Sequence, residues 1–292
     1  MRSSSAQKVK LTSYDDLFGK PEIPTGEAMI SIPLSELRPF KNHPFRVLDD
    51  EKMLETVESV KKYGVLVPGI VRKHPDGGYE VISGHRRWRA CELAGLEEMP
   101  AIVRDLDDDA ATVIMVDANI QREDILPSEK ARAYRMKYEA LKHQGSRGEK
   151  NTADMVGEAA GDSGRTVHRY IRLTELVPEL LDYVDQGRVT MLAGERLSYL
   201  GQEEQRTVVE AIQRGSVLPS KDQAEELKNL SQTDALSAEQ IAGILEKKKS
   251  ASGSVTLTAK KISQFFPSAY TKEQIENIIY DLLEQWKREQ GW

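Results

Sequence analysis

The chain has 292 residues, 39% of them hydrophobic and 30% charged, with a formal net charge of -6 and a sequence pI of about 5.6. That length admits two or three domains with a substantial core, and a mean hydropathy of -0.52 with no apolar run near the ~18 residues of a membrane span excludes a membrane-spanning helix and makes the cytoplasm the expected location. The acidic balance argues against indiscriminate coating of nucleic acid, and the single cysteine, Cys91, excludes an intrachain disulfide and reads as a small packing residue.

The opening MRSSSAQKVK lacks the apolar core of a signal peptide, and residues 1–28 carry Ser, Gly, Pro and scattered charge without periodicity, the pattern of a flexible tail. MISIPLSEL then predicts an opening strand and residues 50–63 a helix. GVLVPGIVRK and GYEVIS predict further strands, AGLEEMPAIVR another, and VIMVDANIQR at 113–122 an apolar helix ending in an amide and a charge. Within this α/β stretch, EVISGHRRWRA at 80–90 carries the chemistry. A strand ends at Ser83, Gly84 permits a tight turn, and His85–Ala94 opens a helix whose free N–H groups point back at the turn. Arg86, Arg87 and Arg89 add guanidinium forks suited to phosphate. The alternative is a solvated basic helix start.

Pro127 and Ser128 begin a helix running through Ala131, Tyr134, Tyr138 and Leu141, and HQGSRGEKN breaks it as a basic loop. Residues 152–173, TADMVGEAAGDSGRTVHRYIRL, have the layout of a helix-turn-helix: Met155, Val156 and Ala159 form an inner face, GDSG turns, and a second helix follows. In that second helix Val167, Tyr170 and Ile171 are spaced for the core. Ser163 in the turn, with Arg165, Thr166, His168, Arg169 and Arg172 facing outward, makes the predicted DNA-contacting set. Between Leu141 and Leu173 six Lys or Arg face four acids, a local basic excess that suits sequence-selective binding. Arg188 and Arg196 are further candidates for backbone contact, each equally readable as a surface charge.

Short helices continue to about residue 230 without a strand, and residues 231–270 read as a linker holding one short helix from Ser237 to Lys248. Thr271 and Gln274 form a capping box for a final helix over 271–292, whose Ile275, Ile278, Ile279, Leu282, Leu283 and Trp286 line one face. That face either docks on its own chain or meets a second copy in a homodimer.

In order, the segments NHPFRVL, GVLVPGIVRK, GYEVIS, GHRRWRA, AGLEEMPAIVR and ANIQR, followed by the helix-turn-helix, resemble ParB-type partition proteins. The resemblance implies an α/β ParB/sulfiredoxin-like domain over 29–125, an all-α helix-turn-helix domain over 126–230 and a C-terminal helix. It implies CTP bound in a pocket formed by Arg46, Ser83, Gly84, His85, Arg86, Arg87, Asn119 and Arg122, with Gln121 in the same motif. It further implies double-stranded DNA as ligand, a homodimer that closes as a clamp, and a Walker-type ATPase as partner.

Two positions depart from the family pattern. His85 and Ala118 stand where the family usually has glutamates that concern Mg²⁺, and neither offers the oxygen ligand that Mg²⁺ prefers. Asp117 lies one residue away, about 100° around a helix. The metal ligands are therefore unassigned and only weak CTP hydrolysis is expected. A reductase of the sulfiredoxin type would need a cysteine where Gly84 stands, and lacks its nucleophile here. A transcription regulator with a nucleotide-independent N-terminal domain fits the same residues.

Overall fold

Five strands build the sheet that carries the glycine turn. β1 (Met29–Pro33), β2 (Leu37–Pro39), β3 (Gly69–Lys73), β4 (Tyr79–Ser83) and β5 (Glu98–Val103) lie in the order β1-β5-β3-β4-β2. The β1/β5 and β3/β4 pairs are antiparallel, and the β3/β5 and β2/β4 pairs parallel. The two edge strands each end in proline, where the missing N–H leaves no ladder bond unmade. A register shift between Ile70 and Val71, opposite the end of β4, re-aims the chain just before Gly84. This computed structural model describes residues 29–122, 124–145, 151–215, 218–233, 235–246, 265–266 and 270–290. The tail expected over 1–28, the basic loop at 146–150 and most of the expected linker lie outside the described residues.

α1 (Glu51–Tyr63) starts at Asp50, whose carboxylate accepts the Met53 N–H at 2.8 Å, and it buries Met53, Val57 and Val60 on one face. α2 (His85–Ala94) runs from Gly84 to Gly95 and buries Ala90 and Cys91, in keeping with a packing role for the cysteine. α3 (Asp108–Asp117) differs from the helix expected over 113–122. Asp107 caps it through the Ala110 N–H at 2.7 Å, so the helix begins five residues earlier, and residues 118–121 form a turn.

α4 (Pro127–His143) has proline in its first turn, as expected. α5 (Thr152–Gly157), a short 3-10 turn and α6 (Gly164–Leu173) form the helix-turn-helix, followed by α7 (Pro178–Asp185), α8 (Met191–Leu197), α9 (Gln202–Gly215), α10 (Lys221–Ser231) and α11 (Ala238–Glu246). The α/β domain thus precedes an all-α region.

One apolar cluster fills the space between the sheet, α1 and α2, with Met53, Val71, Val81 and Met99 fully buried. A second joins Phe40, Ile82 and Met115 to Tyr134, Val156 and Val167, so packing runs unbroken across the boundary expected near residue 125. A third, built on Leu173, Leu180, Leu197, Ile212 and Leu227, also takes in Ile241, Ile244 and Leu245. Residues 238–246, read from sequence as part of a linker, are therefore core.

The chain divides into two compact units, Met1–Glu246 and Lys247–Trp292. In the second unit, α12 (Lys272–Glu289) has the expected capping box: Thr271 accepts the Gln274 N–H at 3.3 Å and Gln274 accepts the Thr271 N–H at 2.9 Å. No side chain of α12 is buried, and Leu282, Leu283 and Trp286 are each more than half exposed.

Because Ile241 is fully buried in the third cluster, Ile241→Ala should lower stability by about 3 kcal/mol, read as an earlier urea midpoint by circular dichroism. A linker residue would leave that midpoint unmoved.

Candidate functional site

A cavity of about 610 Å³ opens where the loop before α1, the start of α2 and the segment before α4 meet. Arg46, Leu48, Asp50, Lys52, Arg86, Arg122, Asp124 and Glu129 are among its walls. Three of the predicted pocket residues, Arg46, Arg86 and Arg122, thus share one space. Their charge is largely answered from within. Arg86 Nη2 lies 3.1 Å from Asp50 Oδ1, and this bond holds the Asp50 carboxyl below its usual range. Lys52 pairs with Asp124. The buried Glu129 carboxylate accepts from the Arg46 backbone N–H at 2.9 Å and from Arg46 Nε at 3.1 Å, and through its other oxygen from the Leu126 N–H at 3.2 Å. The Arg122 N–H donates to the Asn119 carbonyl at 3.1 Å, and its guanidinium makes no hydrogen bond or ion pair among the described residues.

The other predicted pocket residues have different surroundings. Gly84 sits at φ +110°, where a Cβ would come 3.2 Å from Gly69 Cα, so only glycine fits the turn. Arg87 is turned to the chain itself, donating to the carbonyls of Val67 at 2.5 Å and Pro68 at 2.7 Å. Asn119 donates to the Met115 carbonyl at 2.8 Å, and Ser83 closes β4. Arg89, read from sequence as a third phosphate-suited guanidinium, does not line the cavity and instead grips Asp49 with two bonds of 3.1 and 2.7 Å.

His85 is buried, stacked on His43 with ring centroids 3.9 Å apart, and its Nε2 accepts the Phe40 N–H at 3.4 Å. His43 in turn donates from Nδ1 to the Phe45 carbonyl at 2.7 Å. Burial, then the neighbouring imidazole, pushes the His85 pKa down to about 3. The side chain is committed inward and does not line the cavity. This imidazole pair was missed from sequence, because the 41 residues between its members hide the contact.

The residues present do not fit Mg²⁺. Besides the inward His85 ring and the methyl of Ala118, Asp117 is tied to Lys137 Nζ at 2.5 Å. Of the cavity carboxylates, Asp50, Asp124 and Glu129 each already hold a basic side chain, which leaves Glu55 alone, and no cluster of three or more such ligands exists among the described residues.

The helix-turn-helix is held by side chains that the periodicity did not reveal. Asp154 accepts the Gly164 N–H at 2.8 Å, joining the two helix starts. Asp162, in the turn, takes the Tyr134 hydroxyl and the Lys130 ammonium, each at 2.6 Å. Gly157 packs against the Asp162 carbonyl so closely that a Cβ would collide with it. Ser163 caps α6 through the Thr166 N–H at 3.3 Å, and the two hydroxyls lie 3.0 Å apart. Val167 is fully buried and Tyr170 half-buried, as expected. Arg165 and His168 are exposed and Arg169 partly so, and neither arginine makes an ion pair among the described residues.

Arg172 departs from the outward placement expected for it. It donates to the Ser198 carbonyl at 2.5 Å and stacks over the Tyr199 ring at 4.1 Å, fastening α6 to the end of α8. Arg196 is paired with Glu195 at 2.6 Å and with Glu225, and Arg188 lies over the Tyr183 ring.

Residues 20–120 match the ParB N-terminal domain family. The chain is 37% identical over 166 residues to the chromosome-partitioning protein Spo0J of Thermus thermophilus, a match covering 57% of this chain and 58% of that protein. It is 30% identical to the C-terminally truncated chromosome-partitioning protein ParB from Caulobacter crescentus complexed with CTP-gamma-S, covering 59% of this chain and 92% of that one at a TM-score of 0.31. With the same Caulobacter protein complexed to the centromeric parS site, identity is 26%, coverage 70% and 100%, and the TM-score 0.43. The chain thus spans less than three fifths of the length of the Thermus relative. No helix among the described residues is long and apolar enough to cross a membrane.

The buried imidazole makes a pH prediction. An unfolded His85 takes up a proton near pH 6.5, whereas the folded one resists it down to about pH 3. The folded state therefore binds fewer protons in that window, and stability falls as pH drops through it, by up to about 1.4 kcal/mol per pH unit. Urea titrations at pH 7 and pH 5 should show a smaller loss for His85→Gln than for the unmodified chain.

Proposed function

The chain belongs to the ParB family, and we propose that it is a dimeric, sequence-selective DNA-binding partition protein of the cytoplasm whose arginine-bearing cavity takes a cytidine triphosphate. The observation that carries the DNA half is the outward face of α6. Many arginines in this acidic chain sit on carboxylates, among them Arg72, Arg86, Arg89, Arg135 and Arg196, whereas Arg165 and Arg169 are left unpaired among the described residues, in the first two turns of the helix that Ser163 caps. Guanidinium groups so presented can reach base edges in a major groove, with the cap hydroxyls near phosphate. Arg172 supports that face from behind, through Ser198.

The nucleotide half is supported by the convergence of Arg46, Arg86 and Arg122 on one cavity beside the Gly84 turn, together with the family motifs that these residues occupy. In this reading Arg87 and Asn119 shape the walls, Ser83 and Gly84 bring backbone close to phosphate, and His85 supports the turn from inside. With no carboxylate free to bind a divalent cation at positions 85 and 118, turnover of the nucleotide is slow. Closure of the dimer into a clamp and a Walker-type ATPase partner are the family's expectations, and α12, with its uncovered apolar face, suits the dimer contact. One observation favours a second reading, a transcription regulator that binds no nucleotide: three of the cavity's cations, Arg46, Lys52 and Arg86, already have intramolecular carboxylate partners.

Calorimetry with CTP, with and without a duplex selected by the protein from a random pool, tests the reading. Arg86→Ala should abolish nucleotide binding, and a chain that binds no nucleoside triphosphate even with DNA present would be the plain regulator. Arg165→Ala and Arg169→Ala should each cost about 1–3 kcal/mol on the selected duplex and relax its sequence preference. Undiminished affinity in both variants would remove α6 from the interface.

A further inference from the structure

The last turns of α4 lie beside the outward face of α6, and the contact between them is made by rings. Tyr138 meets His168 edge to face, with centroids 5.7 Å apart, and the Lys142 ammonium stands 5.6 Å from the centre of the same Tyr138 ring. Lys142 is i+4 from Tyr138, so both project from one face of α4. Among the described residues none of the three polar groups, the Tyr138 hydroxyl, the Lys142 ammonium and the His168 imidazole, has a hydrogen-bond or ion-pair partner. Of the other cations on this helix, Lys130 is answered by Asp162, Arg135 by Glu139 and Glu175 and Lys137 by Asp117, while Arg132, like Lys142, has no ion-pair partner among the described residues.

We propose that Tyr138, Lys142 and His168 form a phosphate-contacting edge that grips the DNA backbone alongside the groove entered by α6. This rests on the DNA-binding reading above. Lysine and tyrosine are suited to phosphate oxygens, and such contacts fix the position of a protein on a duplex without reading its sequence. His168 lies between Arg165 and Arg169 in α6, so the edge adjoins the residues assigned to base reading. The cation–π and ring contacts hold the donors in place before DNA arrives, which reduces the ordering cost of binding.

The full chain is tested on two duplexes of equal length, one selected by the protein from a random pool and one scrambled, across a salt series. Lys142→Ala should make the slope of log affinity against log salt shallower by about 0.9, the loss of one phosphate contact, and weaken both duplexes equally. Tyr138→Phe keeps the ring contacts and removes the hydroxyl, and should also weaken both equally. An unchanged slope and affinity in Lys142→Ala overturns the edge, as does a loss confined to the selected duplex, which would mean that the residue merely positions α6. If Arg165→Ala or Arg169→Ala lowers selectivity while Lys142→Ala changes nothing, the DNA-binding reading stands and the edge falls. If the unmodified chain shows no salt-dependent duplex binding, both fall.

Discussion

A buried ammonium group organises the middle of the molecule. The Lys137 side chain is only 5% exposed, and its nitrogen is bonded to Asp117 Oδ1 at 2.5 Å and to the Val156 carbonyl at 3.3 Å. Taking a cation out of water is expensive unless its partners are close and well placed, so this group binds three elements at once: the end of α3, the middle of α4 and the first helix of the helix-turn-helix. Gln121 adds a second tie between the same parts by donating to the Ala159 carbonyl at 2.9 Å. The turn carrying Arg122 is thereby fixed against the first half of the helix-turn-helix, whose second helix carries Arg165 and Arg169. Glu129 and Asp162 extend the pattern, one at each side of α4, so that a single helix meets the cavity wall and the turn before α6 through its polar side chains.

The cavity itself is balanced rather than simply basic. Arg46 faces Glu129, Arg86 faces Asp50 and Lys52 faces Asp124. Apart from Arg122, an entering polyanion does not find bare charge waiting. It has to take guanidinium groups from carboxylates that are themselves stabilised by them, and Asp50 also caps α1. Affinity at such a place depends on a difference between two sets of charge-assisted bonds, which favours ligands with several correctly spaced oxygens over any single anion.

Much of the scaffold was legible in the chain because it depends on near neighbours. The strand, glycine and helix from Tyr79 to Ala94, the proline start of α4, and the capping box at Thr271 and Gln274 are all set by residues within a few positions of one another. What escaped was set by distance in sequence. Arg87 and Arg172 look outward by helical spacing, yet each finds a backbone carbonyl on a remote segment, at Val67 and Ser198. His85 looks like a poor substitute for a metal ligand until His43 is seen against it. The start of α3 is masked by an acidic run before Ala110, in which Asp107 serves as the cap. Residues 238–246 read as linker because the flanking Ser and Lys stretches outweighed three apolar residues whose partners lie on α9 and α10.

The second apolar cluster carries a consequence for how such a gene can be rearranged. Phe40 and Ile82, beside the glycine turn, share a core with Tyr134, Val156 and Val167 of the helical region. A recombination seam near residue 125 would hand each half to a stranger and leave both with uncovered apolar surface and a stranded Lys137. Inheritance of the cavity and the helix-turn-helix as one block, through to Glu246, follows from side-chain packing alone, whereas α12, which buries no side chain of its own, is the segment that shuffling could exchange without dismantling a core.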